Sequence, residues 1–96
     1  MIDYDVASSV RRKLLEKSPP VSLDEVEEAL SDPDLVEIKL SRKRKAQERK
    51  MKYLGYTEGG RLLQVYLIEK AANTYLMSAY DADQSDKKLY NRLNGS

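Results

Sequence analysis

A change of period at Pro33 constrains this chain more than any other feature of its sequence. Ahead of it, apolar residues recur at the spacing of one helix face. Beyond it they alternate residue by residue, as half-buried strands require. In "DVASSVRRKLLEK" the stripe Val6, Val10, Leu14 and Leu15 predicts a helix over about residues 5–17. "KSPPVS" ends it, because its two prolines remove N–H donors and push the preceding backbone out of the helical region. Ser22, with Glu25 three positions on, writes a capping box for a second helix over about 23–31, with Leu23, Val26 and Leu30 facing inward. After "SDPD" come strands over about 35–40, 49–57, 61–69 and 74–80, separated by a basic run, by "EGG" and by "KAAN". The tail "DADQSDKKLYNRL" opens on aspartates able to cap and closes on cations, which predicts a short helix over about 83–92. The expected architecture is α+β in one domain: two N-terminal helices, an antiparallel meander of about four strands and a short C-terminal helix.

Composition removes several kinds of chemistry. The chain has no cysteine and no histidine. Disulfides, thiolate nucleophiles, the commonest acid–base group near neutrality and the commonest nitrogen ligand of metals are therefore excluded. No metal and no cofactor is expected. No apolar run approaches the ~20 residues of a membrane span, and the acidic start lacks the basic opening of a signal peptide. The expectation is a cytoplasmic protein with no membrane partner.

A formal net charge of +1 conceals a strong asymmetry. Residues 1–40 hold five Lys/Arg against ten Asp/Glu, whereas residues 41–61 hold eight against two. The concentration peaks in "SRKRKAQERKMK", at residues 41–52. Its first part, with Arg42, Lys43, Arg44 and Lys45, reads as a solvated connection between the first two strands. Its last residues, Lys50 and Lys52, fall inside the second strand on one face, because side chains alternate along a strand. If Met51, Tyr53, Leu63, Val65, Leu67 and Met77 pack against the helices, the opposite face shows Lys50, Lys52, Gln64, Tyr66, Ser78 and Tyr80. Ammonium groups beside phenols and small polar groups on a twisted sheet suit phosphates and bases of RNA.

The segments "YLGYTEGGRLLQVYLIE" and "TYLMSAYDADQSDKKLY" resemble the BrnT family of type II toxins, small ribonucleases of RelE-like fold that a partner antitoxin neutralises. The matching positions are Leu54-Gly55, Gly60-Arg61-Leu62-Leu63, Ser78-Ala79-Tyr80 and Lys87-Lys88-Leu89-Tyr90, with weaker likeness in "IDYD" and "VSLDEVEEALSDP". The resemblance implies a RelE/BrnT-like fold, a cognate antitoxin as partner, and metal-independent cleavage of mRNA. A homodimer or a toxin–antitoxin hetero-oligomer would be the assembly. Two family arginines, which hold the scissile phosphate, fall here on Lys50 and Tyr80. Lysine supplies charge without arginine's planar fork, and tyrosine supplies one hydrogen bond and a stacking face.

Metal-free cleavage needs a base for the 2′-hydroxyl, a cation for the phosphorane and an acid for the leaving oxygen. The catalytic candidates are Lys50 and Arg61 as phosphate stabilisers, with Tyr66 or Tyr80 as proton donor and stacking surface. Arg42, Lys43, Arg44, Lys45, Lys52, Gln64, Ser78, Lys87 and Lys88 are candidates for RNA contact. Each has a structural alternative: Arg61 a solvated strand start, Lys50 and Lys52 a soluble sheet face, Tyr66 and Tyr80 ordinary sheet aromatics, Lys87 and Lys88 helix-end cations. Three readings stand: an active endoribonuclease toxin, a degenerate toxin-fold protein that binds antitoxin or RNA, and a basic nucleic-acid-binding module.

Overall fold

The computed structural model of the protein describes residues 2–40 and 48–95. Its elements run α1 (Ser8–Leu15), α2 (Leu23–Leu30), β1 (Val36–Lys39), β2 (Glu48–Tyr56), β3 (Leu62–Lys70), β4 (Asn73–Asp81) and α3 (Gln84–Leu93). The architecture is α+β: two N-terminal helices, a four-stranded antiparallel sheet in the order β1-β2-β3-β4, and a short C-terminal helix. No helix among the described residues is long and apolar enough to cross a membrane. The cluster Arg42 to Lys45 lies outside the described residues.

Local signals place the helices where they stand. The Ser22 hydroxyl accepts from the Glu25 N–H at 3.1 Å, and the Glu25 carboxylate accepts from the Ser22 N–H at 3.1 Å. This capping box satisfies two otherwise unpaired donors at the start of α2. Asp83 and Asp86 repeat the device at α3. α2 then buries Val26, Ala29 and Leu30 against the sheet. Its approach is possible because β2 carries Gly55 beneath it; a Cβ there would overlap the Ala29 carbonyl.

The register of β2 with β3 divides the sheet into two faces. Met51 lies opposite Leu67, Tyr53 opposite Val65 and Gly55 opposite Leu63, all facing α1 and α2. The alternate set pairs Lys52 with Tyr66, Leu54 with Gln64, and Lys50 with Ile68. That second face is not fully open. Val36, Leu54 and Leu62 project from it, and α3 covers them with Tyr90 in a second small core. Asp32 ties this arrangement together, accepting from the Tyr90 hydroxyl at 2.7 Å, the Tyr56 N–H at 2.9 Å and the Asp34 N–H at 2.8 Å. Burial works against its charge, but these three donors hold its carboxyl below the ordinary aspartate range.

Met77 departs from the inward position expected of it. The β3–β4 register slips at Tyr66/Leu67, so that Leu67 faces Leu76 while Tyr66 faces Ser78. One extra residue in β4 reverses the alternation locally. Leu76 enters the core at 2% exposure and Met77 is left 41% exposed on the other side of the sheet.

The β3–β4 connection is a two-residue turn in which Ala71 and Ala72 both take positive φ, 47° and 76°. Two-residue hairpins favour that geometry because its twist matches the strands, but a Cβ makes it costly. Ala71→Asn with Ala72→Gly should therefore raise the thermal midpoint by about 5 °C, corresponding to about 1 kcal/mol of relieved strain. Calorimetry of the double variant against the parent checks the sign.

Candidate nucleic-acid interface

A lane of two phenols flanked by cations crosses the second sheet face beside α3. Lys52 and Tyr66 are cross-strand partners, and Tyr80 stands opposite Gln64, diagonal to Tyr66. Diagonal neighbours on one face are within reach of aromatic side chains. The Tyr66 and Tyr80 rings stack with centroids 5.7 Å apart and planes 20° from parallel. The Lys52 Nζ lies 5.9 Å from the Tyr66 centroid, and the Lys17 Nζ lies 5.0 Å from that of Tyr80. Lys17 arrives from the end of α1, so an element distant in sequence completes the lane.

Hydrogen bonds fix its groups. The Tyr66 hydroxyl donates to the Gln64 Oε1 at 2.6 Å, and the Gln64 Nε2 donates to the Asp81 carbonyl at 2.9 Å. Lys52 donates to the Asp86 Oδ1 at 2.8 Å, with side chains 18% and 5% exposed. Burial disfavours the Lys52 ammonium, but the hydrogen bond and charge of Asp86 outweigh it and hold the pKa above the usual lysine value. Burial, with its neighbour Tyr80, raises Tyr66 in turn, against the opposing field of Lys52. Near neutrality Lys52 is a fixed cation and Tyr66 a fixed proton donor. Neither is a base.

Two concavities flank Tyr80. One, of about 290 Å³, is bordered by Lys50, Tyr66, Ser78 and Tyr80 with the apolar Leu40, Met51 and Met77. The other, of about 390 Å³, is bordered by Lys17, Ser18, Pro19, Tyr80 and Asp81. Of the residues nominated from sequence, Lys50, Lys52, Gln64, Tyr66, Ser78 and Tyr80 share this face. Lys50 and Tyr80 are exposed, Lys52, Tyr66 and Ser78 are half-buried, and Gln64 is 6% exposed, serving the lane from below. Lys87 and Lys88 are exposed on α3, whose first turn meets the lane through Asp86.

Arg61 does not join them. It precedes β3 at the opposite end from Ile68, the partner of Lys50, a run of seven residues. At ~3.3 Å per residue that separates the two backbones by ~23 Å. Its side chain goes to the helical face, where Nε donates to the Asp81 Oδ1 at 2.5 Å. Nη1 donates to the Glu25 Oε1 at 3.0 Å and the Pro20 carbonyl at 2.8 Å, and Nη2 to the Pro19 carbonyl at 3.3 Å. A single phosphate site built from Lys50 and Arg61 is therefore not formed. Arg61 instead straps the α1–α2 connection and the start of α2 to the end of β4.

Sequence reasoning missed Lys17 and Asp86. The aspartates of the tail signalled a cap, and Asp86 is part of it, accepting at Oδ2 from the Asp83 N–H at 3.2 Å. Nothing local signalled that its other oxygen would neutralise a lysine in β2. No protein-family model matches the chain, and no curated protein matches it either.

The Lys52–Asp86 pair carries a pH signature. A lysine whose pKa is raised on folding contributes stability that is complete below the ordinary lysine value and is lost as pH climbs through the raised one. Asp86→Asn should cost about 2 kcal/mol near neutrality, less than the loss of a partner from a fully buried pair, since it leaves a half-buried ammonium without its counter-charge. The gap from the parent should narrow in solutions more alkaline than the ordinary lysine value as Lys52 discharges. Urea unfolding of both proteins at about pH 7 and about pH 11 measures it.

Proposed function

We propose that this protein binds single-stranded RNA across the aromatic lane, as a BrnT-like module in which gripping the strand dominates over cutting it. The observation that carries the reading is the stacked Tyr66–Tyr80 pair held between Lys17 and Lys52, with Lys50 at the rim. Every base has a π-face, so such a platform accepts unpaired bases irrespective of sequence, while ammonium groups hold the backbone phosphates. Lys50 and Lys17 supply the greater part of the attraction, because the charge of Lys52 is already offset by Asp86. On this reading the protein would act in the cytoplasm. A cognate antitoxin would act by covering the same face.

The ribonuclease reading has one observation in its favour. The Tyr66 hydroxyl keeps its proton beside Lys52 and, on turning away from the Gln64 Oε1 it now donates to, can protonate a leaving oxygen. It lacks the opposite half of the reaction, because Lys52 and Tyr66 hold their protons at neutral pH and the Arg61 fork is committed elsewhere.

Binding to a fluorescent oligoribonucleotide, followed across a salt series, tests the proposal. Tyr80→Ala and Tyr66→Ala should each weaken affinity by about 5- to 150-fold, the loss of about 1–3 kcal/mol of stacking. Lys50→Ala should weaken it and reduce the magnitude of the salt slope by about 0.7. A salt-independent affinity, or one indifferent to both tyrosines, refutes the reading. The same oligonucleotide run on a gel after long incubation separates the two alternatives: intact RNA supports the binding module, and metal-independent cleavage abolished by Tyr66→Phe supports the nuclease.

A further inference from the structure

The two edges of the sheet are treated differently. At the β4 edge the N-terminal segment closes part of the strand, with the Asp5 N–H donating to the Thr74 carbonyl at 2.8 Å and the Leu76 N–H to the Asp5 carbonyl at 2.9 Å. At the opposite edge β1 pairs with β2 alone. The Leu40 N–H donates to the Lys50 carbonyl at 3.0 Å. With the register Ile38↔Lys52 and Val36↔Leu54, this directs the backbone groups of Val36, Ile38 and Leu40 toward β2. Those of Glu37 and Lys39 consequently point outward, and no described residue bonds to them.

From this geometry we infer that β1 pairs with β1 of a second copy of the chain, antiparallel about a two-fold axis through Ile38, joining two sheets into one of eight strands. The outward groups permit only registers in which an odd-numbered residue faces another odd-numbered residue. Among the symmetric ones, that centred on Glu37 sets glutamate against glutamate, and that centred on Lys39 sets lysine against lysine. Like charges directly opposite destabilise a pair. The register centred on Ile38 sets Glu37 against Lys39 of the second copy and Lys39 against its Glu37. Each such couple exchanges both backbone hydrogen bonds and is an ion pair on one face.

The other face agrees with the same register. Val36 meets Leu40 of the second copy, Ile38 meets its own counterpart, and Leu40 meets Val36. Leu40, 41% exposed in the single chain, thereby gains an apolar neighbour. Charged residues on a short edge strand ordinarily ward off pairing. Here two exposed charges of opposite sign, two residues apart, are complementary to themselves under two-fold rotation. The two Lys52 side chains would stand three strand spacings apart, ~14 Å, beyond the screening length at physiological salt. The inference does not depend on RNA binding.

Sedimentation equilibrium over a wide concentration range, with charge reversal, tests it. The parent should dimerise. Glu37→Lys and Lys39→Glu should each raise the dissociation constant at least tenfold, because all three registers centred on residues 37 to 39 then oppose like charges. The double reversal should return it to within about threefold of the parent. Because the chain has no cysteine, Ile38→Cys offers an independent readout. Mild oxidation should link it into a covalent dimer, whereas Leu40→Cys, which faces Val36 rather than itself, should stay reduced. A chain that remains monomeric at all concentrations, or a dimer indifferent to the single reversals, overturns the inference and leaves the edge to a strand of another protein.

Discussion

A regular strand turns consecutive side chains to opposite faces, and outside the slip in β4 that constraint organises this molecule. Burying Leu63, Val65 and Leu67 beneath α1 and α2 commits Gln64, Tyr66 and Ile68 to the reverse side. The partner strand must obey the same rule, so Lys50, Lys52 and Leu54 follow them there. The lane of cations and phenols is thus a consequence of core packing. Slipping β2 by one residue would expose the core and bury two ammonium groups, a change no local interaction could offset.

The same rule makes α3 necessary. Leu54, Leu62 and Val36 emerge on the lane side in numbers that one sheet face cannot leave in water, and Tyr90 closes over them. The helix covers only part of the face. Where its apolar contacts stop, the Lys52–Asp86 bond begins, and beyond it lie the stacked tyrosines. A face that began as uniformly polar in outline is therefore graded, from a closed apolar corner through a buried ion pair to an open aromatic platform. Arg61 shows the converse economy: a cation that looks available in isolation is fully engaged in holding the α1–α2 connection against the end of β4.

Two sheet edges, one closed by Asp5 and one with outward-facing Glu37 and Lys39, give the molecule a direction. On the proposed readings, a partner that reads bases would meet the face and one that reads backbone would meet the β1 edge. The two surfaces adjoin, since Lys50 and Lys52 stand directly across from Leu40 and Ile38. Extension of the sheet at that edge would lengthen the cationic face without altering the lane.

What the sequence determined by itself is whatever acts over a few residues. The capping boxes at Ser22 and Asp83, the alternation in β2 and β3, and the separation of Lys50 and Lys52 from Met51 and Tyr53 all follow from neighbours within a turn or a pleat. Tertiary structure alone decided the rest. The slip that exchanges Leu76 for Met77 is visible only in the pairing of β4 with β3, on a strand whose other edge receives the N-terminal segment. The attachment of Asp86 to Lys52, the placement of Lys17 over Tyr80 and the four-way engagement of Arg61 join residues 34, 63 and up to 42 positions apart. Such pairs leave no periodicity to read, because each is fixed by the packing of whole elements rather than by the chain between them.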